Sequence, residues 1–314
     1  MSVGRDNASM LRHLSALSRR ESNMGLFAMT ATLAAEINSK CQAASVAGGI
    51  DTHAHIFERG LSLSDERRYV PAYDATLSDY LRMLDANGIS RGVLVQPSFL
   101  GEDNSYLVNG LRSANGRLRG IAVVSPSISR EDLKALDAAG IVGIRLNLVG
   151  RQLPSLDTEP WPGLLRMIAD LGWQVEIQRS AHDLQFLLPA LSAAGVSVVI
   201  DHFGLPDSTI SVEDSGLRNI TADKDRRLWV KLSAPYRSGK EGAGEKVAQA
   251  AYPLLRDTIG LDRLIWGSDW PHTQFETSEN YEKVRAFFDI LVPSESERRE
   301  ILVVNPVSLF RFGG

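Results

Sequence analysis

Short apolar runs alternate with amphipathic stretches of helical length from Ile50 onward. Eight such runs recur about every 31 residues, which is close to the length of one strand, one helix and their connections. This order predicts an α/β fold, a distorted (β/α)8 TIM barrel of parallel strands that are each followed by a helix. The predicted strands are Ile50–Phe57, Gly92–Gln96, Gly120–Ser125, Val142–Val149, Gln174–Gln178, Ser197–His202, Leu228–Ser233 and Leu264–Asp269.

The connections between these runs carry turn signals. A glycine stands before several strands, where a left-handed residue commonly ends the preceding helix. Two connections are longer than the others, from Glu58 to Asp74 and from Asp207 to Asp223, and we expect them to act as lids over the barrel. The helix-ending glycines are Gly88, Gly140, Gly172, Gly195 and Gly260.

Residues 1–48 differ from the rest of the chain. Arg19-Arg20, an apolar stretch and then small residues outline an export signal, but Glu21 and Lys40 interrupt that pattern. We therefore predict an N-terminal extension over residues 1–48, either an export signal or a helical arm, before a catalytic domain over residues 49–314. We expect the protein in the cytoplasm, and in the periplasm if the extension is an export signal.

Composition narrows the classes of partner. Hydrophobic residues make up 44% of the chain and charged residues 23%, without an apolar run long enough to cross a membrane, so no membrane partner is expected. A net charge of -4 with scattered basic residues argues against nucleic acid and for a small-molecule partner. Cys41 is the one cysteine, which excludes an internal disulfide and a cysteine metal site. A homo-oligomer remains possible.

Polar residues end three of the predicted strands. The first ends in Asp51-Thr52-His53-Ala54-His55, the sixth in Asp201-His202 and the eighth in Ser268-Asp269. Alternation in an extended strand predicts that Asp51, His53 and His55 point into the barrel, and the chemistry of this fold lies at such strand ends. Neutral imidazoles can bind a metal or donate to an oxyanion, while a carboxylate accepts a proton from water. Spacing alone leaves both uses open.

These segments together resemble the amidohydrolase superfamily, and within it the lactonases that act on a pyrone dicarboxylate. The resemblance rests on residues 51–57, 200–204 and 266–272, with further agreement at 95–98, 120–124 and 143–147 in the same order. It implies that Asp269 activates water and that His53, His55 and His202 polarise the scissile carbonyl. It also implies a set of substrate contacts, namely Arg145, Arg151, Arg237, Tyr69, Ser98 and Gln178.

One departure bears on the cofactor. Metal-binding members of the superfamily place a histidine at the end of the fifth strand, where this chain has Gln178. We therefore expect that no metal is strictly required. The alternative is one divalent ion, such as zinc, with His53, His55 and Asp269 as its ligands. Glu176 on the same strand is expected to be a buried carboxylate paired with Lys231 or Arg145.

The resulting hypothesis is a hydrolase that opens a lactone carrying carboxylate or other acidic groups, by attack of an activated water on the ring ester. Arginine suits such a substrate because its planar guanidinium binds carboxylates and sulfonates in a fork. Three alternatives remain at this point: a zinc-dependent decarboxylase of an aromatic or enoic acid, a lactone isomerase, and a non-catalytic binding protein on the same barrel.

Overall fold

The structure, a computed structural model, describes residues 48–209, 211, 216–222 and 227–313. Residues 1–47, including Cys41, lie outside the described residues, and so does part of the predicted lid between Asp207 and Asp223. The predictions made for these segments are therefore not addressed by the structure. Among the described helices, none is both long enough and apolar enough to span a membrane.

Eight strands of the described chain form one sheet in chain order, with every neighbouring pair parallel. A parallel bridge between Ala54 and Trp270 brings the first strand to the last, which makes the sheet a nearly closed barrel. The predicted barrel fold is thus confirmed. The strands are β1 Gly49–Ala54, β2 Ile89–Val95, β3 Leu118–Ala122, β4 Ile141–Asn147, β5 Gln174–Gln178, β6 Ser197–Ile200, β7 Leu228–Leu232 and β8 Leu264–Trp266.

A helix follows each strand, as the alternating pattern predicts. Capping residues start several of them. The hydroxyl of Thr76, for example, accepts from the backbone amide of Asp79, while the Asp79 carboxylate accepts from the backbone amide of Thr76. The eight helices are α1 Leu77–Ala86, α2 Ser105–Ser113, α3 Arg130–Ala138, α4 Trp161–Asp170, α5 Leu188–Ala194, α6 Arg218–Thr221, α7 Ala243–Thr258 and α8 Tyr281–Leu291. The chain ends with α9 Glu295–Arg299, a π-helix at Glu300–Val304 and α10 Asn305–Leu309.

Two apolar layers hold the barrel together. One lies between the sheet and the helices, and the other is a compact cluster of strand side chains that includes Ile50, Val93 and Val199. The C-terminal Phe310 and Phe312 pack on this second cluster. Buried β-branched residues of this kind are typical of parallel strands that are covered on both faces. The polar residues that end β1, β5, β6, β7 and β8 are left to form the mouth.

Candidate active site

The ends of β1 and β8 are joined by backbone hydrogen bonds. The amide of Asp269 donates to the carbonyl of His53 at 2.8 Å, and the amide of His55 donates to the carbonyl of Trp270 at 2.8 Å. Gly267 permits this approach, because a Cβ there would lie 2.5 Å from the Cβ of His53. The seam between the first and last strands therefore fixes the position of Asp269 relative to both histidines.

The two oxygens of Asp269 have different surroundings. Its Oδ2 accepts from the hydroxyl of Tyr236 at 2.6 Å and from Nε of Arg237 at 2.7 Å. Its Oδ1 has no hydrogen-bond partner among the described residues and lies 3.8 Å from Nε2 of both His53 and His55. One oxygen thus anchors the buried carboxylate, and the other is available to a water or a substrate.

Asp269 is held in its ionised form. Burial alone would raise its pKa, but the charge of Arg237, and then interactions with His202, His53 and His55, lower the pKa well below its ordinary value. Because its pKa is lower in the folded state, ionised Asp269 stabilises the fold at pH values above the ordinary pKa range of aspartate. This contribution is lost as the pH falls through the folded-state pKa. The carboxylate can therefore accept a proton at neutral pH.

The tautomer of His55 follows from its contact with β2. Its Nδ1 lies 2.7 Å from the carbonyl oxygen of Val95, which can only accept, so the ring carries its hydrogen on Nδ1. Burial first, and then the charges of His53 and Arg145, lower the pKa of His55 well below its ordinary value, which keeps the ring neutral. Nε2 of His55 consequently presents a lone pair to the mouth.

A buried charge network lies beneath His53. Its Nδ1 is 3.0 Å from Nζ of Lys231 and 3.3 Å from carboxylate oxygens of both Glu176 and Asp201. Lys231 also lies 2.5 Å from Glu176 and 3.3 Å from Asp201, and a guanidinium nitrogen of Arg145 is 3.3 Å from Asp201. Two cations and two carboxylates balance each other here. The expected pairing of Glu176 with Lys231 is confirmed.

The network favours a hydrogen on the outer nitrogen of His53. Burial lowers the pKa of His53, as does the charge of Lys231, but Asp201 and Glu176 raise it, with a net rise. The nearest neighbour of Nδ1 is the Lys231 ammonium, which can only donate. Both the neutral ring that accepts from Lys231 and the fully protonated ring carry a hydrogen on Nε2. In either of these forms, His53 presents a donor where His55 presents an acceptor.

His202 follows β6 in a strained backbone conformation with a φ of 53°. Its Nδ1 lies 2.8 Å from the hydroxyl of Ser233, and its Nε2 has no partner among the described residues. Burial lowers its pKa well below the ordinary value, so the ring is neutral. Its ring centroid is 4.8 Å from that of His53, which places the two imidazoles side by side behind the mouth.

A chamber of about 190 Å³ opens in front of these groups. At about 30 Å³ for each water, this space suits one small molecule. Of the predicted site residues that line it, the catalytic ones are His55 and Asp269, and the substrate contacts are Tyr69, Ser98, Arg145, Gln178 and Arg237. His53 and His202 lie behind its wall, buried and with free Nε2 atoms.

Two predicted residues lie elsewhere. Arg151 is outside the chamber, in a neighbouring groove, with its guanidinium 2.5 Å from the carboxylate of Glu66. Its role as a substrate contact stays a prediction. Asp51 does not line the chamber, because it accepts from the amide and the hydroxyl of Ser268 at 2.8 and 2.6 Å. A register irregularity between Asp51 and Ala54 interrupts the alternation on which its predicted orientation depended.

Ligand atoms of His53, His55 and Asp269 lie within 4.8 Å of one another and form a possible metal site. Nε2 of His55 and Oδ1 of Asp269 are acceptors and fit a divalent ion. Nε2 of His53 carries a hydrogen in both forms favoured by Lys231, so this third ligand would have to lose it first. The three ligand atoms are close enough together to hold an ion, but only two of them are free of a hydrogen.

Sequence reasoning did not assign a role to several residues of the site. Tyr236 anchors Asp269, Asp201 joins the buried network, and Arg68 lines the chamber. Asp201 stands in a recognised motif, and Tyr236 and Arg68 are direct neighbours of predicted site residues. Adjacency was thus the available signal, but it does not reveal which side chains meet.

Two known proteins align with most of the length of this chain. The chain is 33% identical to 2-pyrone-4,6-dicarboxylate hydrolase of Comamonas testosteroni, over 87% of this chain and 93% of that protein. It is 30% identical to 4-sulfomuconolactone hydrolase of Hydrogenophaga intermedia, over 84% of this chain and 88% of that protein.

Solved structures agree with these sequence relatives. A probable 2-pyrone-4,6-dicarboxylic acid hydrolase of Acinetobacter baumannii, solved with bound citric acid, superposes with a TM-score of 0.82. It is 40% identical, and the alignment covers 84% of this chain and 99% of that one. The amidohydrolase family pattern matches residues 50–312. The eight-stranded barrel, its histidine and aspartate mouth and these likenesses lead to one conclusion: the chain belongs to the amidohydrolase family.

Proposed function

We propose that this protein is an enzyme that hydrolyses the ester bond of lactones carrying carboxylate or sulfonate groups. The observation that carries the proposal is the free Oδ1 of an ionised Asp269, which lies 3.8 Å from two histidine Nε2 atoms and borders a chamber lined by arginines. The named hydrolases among its relatives act on lactones of this chemical class, which supports the same class of substrate here.

The attacking water is held by two acceptors. A water in the chamber donates one hydrogen to Oδ1 of Asp269 and the other to the lone pair of His55, which directs its oxygen at the lactone carbonyl. Asp269 accepts the proton as the new C–O bond forms. This assignment gives His55 the task of orienting water, whereas the family resemblance alone implied that it polarises the carbonyl.

The oxyanion is stabilised by hydrogen-bond donors of the two histidines behind the chamber wall. Nε2 of His53, which lies 3.8 Å from Oδ1 of Asp269, is one donor, and Nε2 of His202 donates when the Ser233 hydroxyl donates to its Nδ1. A donor aimed at a developing oxyanion contributes about 2.7–4 kcal/mol to catalysis. Collapse of the tetrahedral intermediate breaks the ring C–O bond, and the leaving oxygen takes up the proton that Asp269 accepted from water. This transfer gives the open-chain hydroxy or keto acid and restores the Asp269 carboxylate.

The arginines give the substrate both affinity and activation. Arg237 donates through Nε to Asp269 and through one terminal nitrogen to the carbonyl of Thr273, and its side chain lines the chamber. An acidic group bound there offsets the charge that lowers the pKa of Asp269, so the base becomes stronger when substrate is present. General bases are most effective when their pKa lies near the working pH, which makes this offset useful.

We further propose that a metal is not strictly required for this reaction. The buried Lys231 ammonium supports the proposal, because it keeps a hydrogen on the nitrogen of His53 that an ion would need. A bound divalent ion would supply Lewis-acid polarisation of water or carbonyl. Protein stripped with a chelator, with less than about a tenth of a metal ion per chain by elemental analysis, should keep its activity. Chelator-sensitive turnover that zinc restores would overturn this proposal.

The test of function is a spectrophotometric screen of acidic lactones with the purified chain. We expect turnover of a pyrone dicarboxylate or a sulfonated muconolactone, and at least about 100-fold lower kcat/KM for the neutral methyl ester of the same ring, since it lacks the charges that arginines bind. Equal rates for acid and ester, or a folded protein that opens none of the acidic lactones, would contradict the proposed function.

Residues 49–314 are proposed as the catalytic domain and residues 1–48 as an extension to it. The family match over residues 50–312 supports this division. The cytoplasm is the proposed location, with the periplasm as the alternative. Cell fractionation, with mass spectrometry of the mature N-terminus, decides between them, because an export signal would be removed.

A further inference from the structure

Three guanidinium groups line the chamber, and they are not equally neutralised. Arg145 lies 3.3 Å from Asp201, and Arg237 lies 2.7 Å from Asp269. No carboxylate among the described residues lies within ion-pairing distance of Arg68, whose side chain makes one long hydrogen bond of 3.4 Å to the amide oxygen of Asn147. Arg68 therefore faces the chamber as a cation without a fixed counter-charge.

The surroundings of Arg68 are positive. Burial lowers its pKa first, and the charges of Arg145, Arg151 and Arg237 lower it further. Cations that converge on one cavity raise the local concentration of anions and favour their binding. Arg151 contributes less to this field than its position suggests, because Glu66 is paired with it at 2.5 Å.

The position of Arg68 indicates which part of a ligand it meets. It lines both the chamber and the adjoining groove, where Ser98, Arg145 and Asn147 do the same. Arg237 is tied to the base, so an acidic group near it belongs to the end of the substrate that reacts. Arg68 stands on the segment between Glu58 and Asp74, at the rim.

We infer that Arg68 is a specificity-determining residue that binds a second acidic group of the substrate, remote from the scissile carbonyl, and thereby selects dianionic over monoanionic lactones. This inference rests on the proposed function. Arg68 takes the place that the family resemblance gave to Arg151.

The test compares Arg68→Met with Arg67→Met, a matched control on the same segment. Arg67 does not line the chamber and donates to the carbonyl of Ser64 at 2.9 Å. For a lactone with two acidic groups, Arg68→Met should raise KM by about 10-fold or more while kcat changes less than about 3-fold, since the lost contact is equally strong in ground and transition states. For a lactone with one acidic group, Arg68→Met should raise KM by less than about 3-fold, because only the general attraction of the chamber for anions is weakened. Arg67→Met should match the parent with both lactones. With the lactone that carries two acidic groups, Arg68→Lys should recover part of the affinity that Arg68→Met loses.

Titration calorimetry with citrate, a non-reacting polyanion, separates this inference from the proposed function. If the parent opens no acidic lactone but binds citrate, and Arg68→Met alone weakens that binding about 10-fold, the inference stands and the function fails. If the parent opens dianionic lactones but Arg68→Met behaves like Arg67→Met, the inference fails and the function stands. A parent that neither turns over lactones nor binds citrate overturns both.

Discussion

Replacement of Asp269 by Asn tests the proposed base with little change in shape. The amide oxygen can take the place of Oδ2 and keep the hydrogen bonds from Tyr236 and Arg237, which are 2.6 and 2.7 Å long. The amide nitrogen then occupies the place of Oδ1, which lies 3.8 Å from Nε2 of His53 and His55. What disappears is the negative charge and the atom that accepts the proton of water.

The expected cost to the fold is modest. The hydrogen bond from Arg237 keeps its charged donor and loses only the charge of its acceptor. We expect a loss of about 1–2 kcal/mol, less than for a fully buried pair, because the Arg237 side chain is 15% exposed and still has an amide oxygen as acceptor. Relief of the burial penalty of the carboxylate offsets part of it. At an unfolding entropy of about 2.1 cal/mol/K per residue, the Tm of Asp269→Asn should fall by about 2–4 °C. The variant therefore remains folded at assay temperature.

The expected cost to catalysis is much larger. Loss of a general base lowers kcat by about 10²–10⁴-fold, which corresponds to about 2.7–5.5 kcal/mol in the barrier. The assay is steady-state hydrolysis of the lactone found in the screen, paired with a melting curve. Tyr236→Phe is the matched control, because it removes one of the two donors to Oδ2 and leaves the carboxylate in place. Its kcat should stay within about 10-fold of the parent.

The comparison of the two variants decides the point. A folded Asp269→Asn protein that keeps more than about a tenth of the parental kcat would refute the assignment of Asp269 as the base. Equal losses in Asp269→Asn and Tyr236→Phe would instead indicate that the position of the carboxylate, and not its basicity, limits the rate.

The other predictions concern the arginines. Arg237→Met removes the charge that lowers the pKa of Asp269, so burial raises that pKa. Because activity needs the ionised carboxylate, the acid limb of the kcat/KM–pH profile should move to higher pH. An acid limb that does not move would refute the coupling between Arg237 and Asp269. Arg145→Met leaves Asp201 with one cation fewer in a buried network, so denaturant titration should show a loss of about 3–5 kcal/mol. Arg151→Met, at a partly exposed pair, should cost under about 1 kcal/mol, and a larger loss there would contradict the pairing described.

The barrel could be predicted because its signal is repeated along the chain. Each predicted strand overlaps an observed one, and the glycine that ends α5, Gly195, has the left-handed φ of 73° expected of such a cap. The ends of the strands were less predictable. The eighth strand stops at Trp266, and Asp269 lies beyond it with a φ of 60°, a conformation that alternation cannot foresee.

The site could be predicted only where a motif carried it. His53, His55, His202 and Asp269 stand in motifs, and the structure gathers them at one end of the barrel. Which nitrogen of His53 carries a hydrogen depends on Lys231, which is 178 residues away. Contacts of that range are set by the closed barrel, so residue patterns within one segment do not reveal them.

The seam between β1 and β8 also has a consequence for the order of folding. Ser268, which contacts β1, lies 215 residues beyond His53. Nearly the whole domain therefore lies between the two strands that must meet. Such a long-range closure is late, because its loop entropy is compensated only when the intervening pairings already exist. The ribosome makes the N-terminal end first, so His53 and His55 at the end of β1 are synthesised long before Asp269, and the site cannot form until β8 has been made. Recovery of turnover during refolding therefore reports the closure of the barrel, and it should lag behind the return of the circular-dichroism signal of the helices.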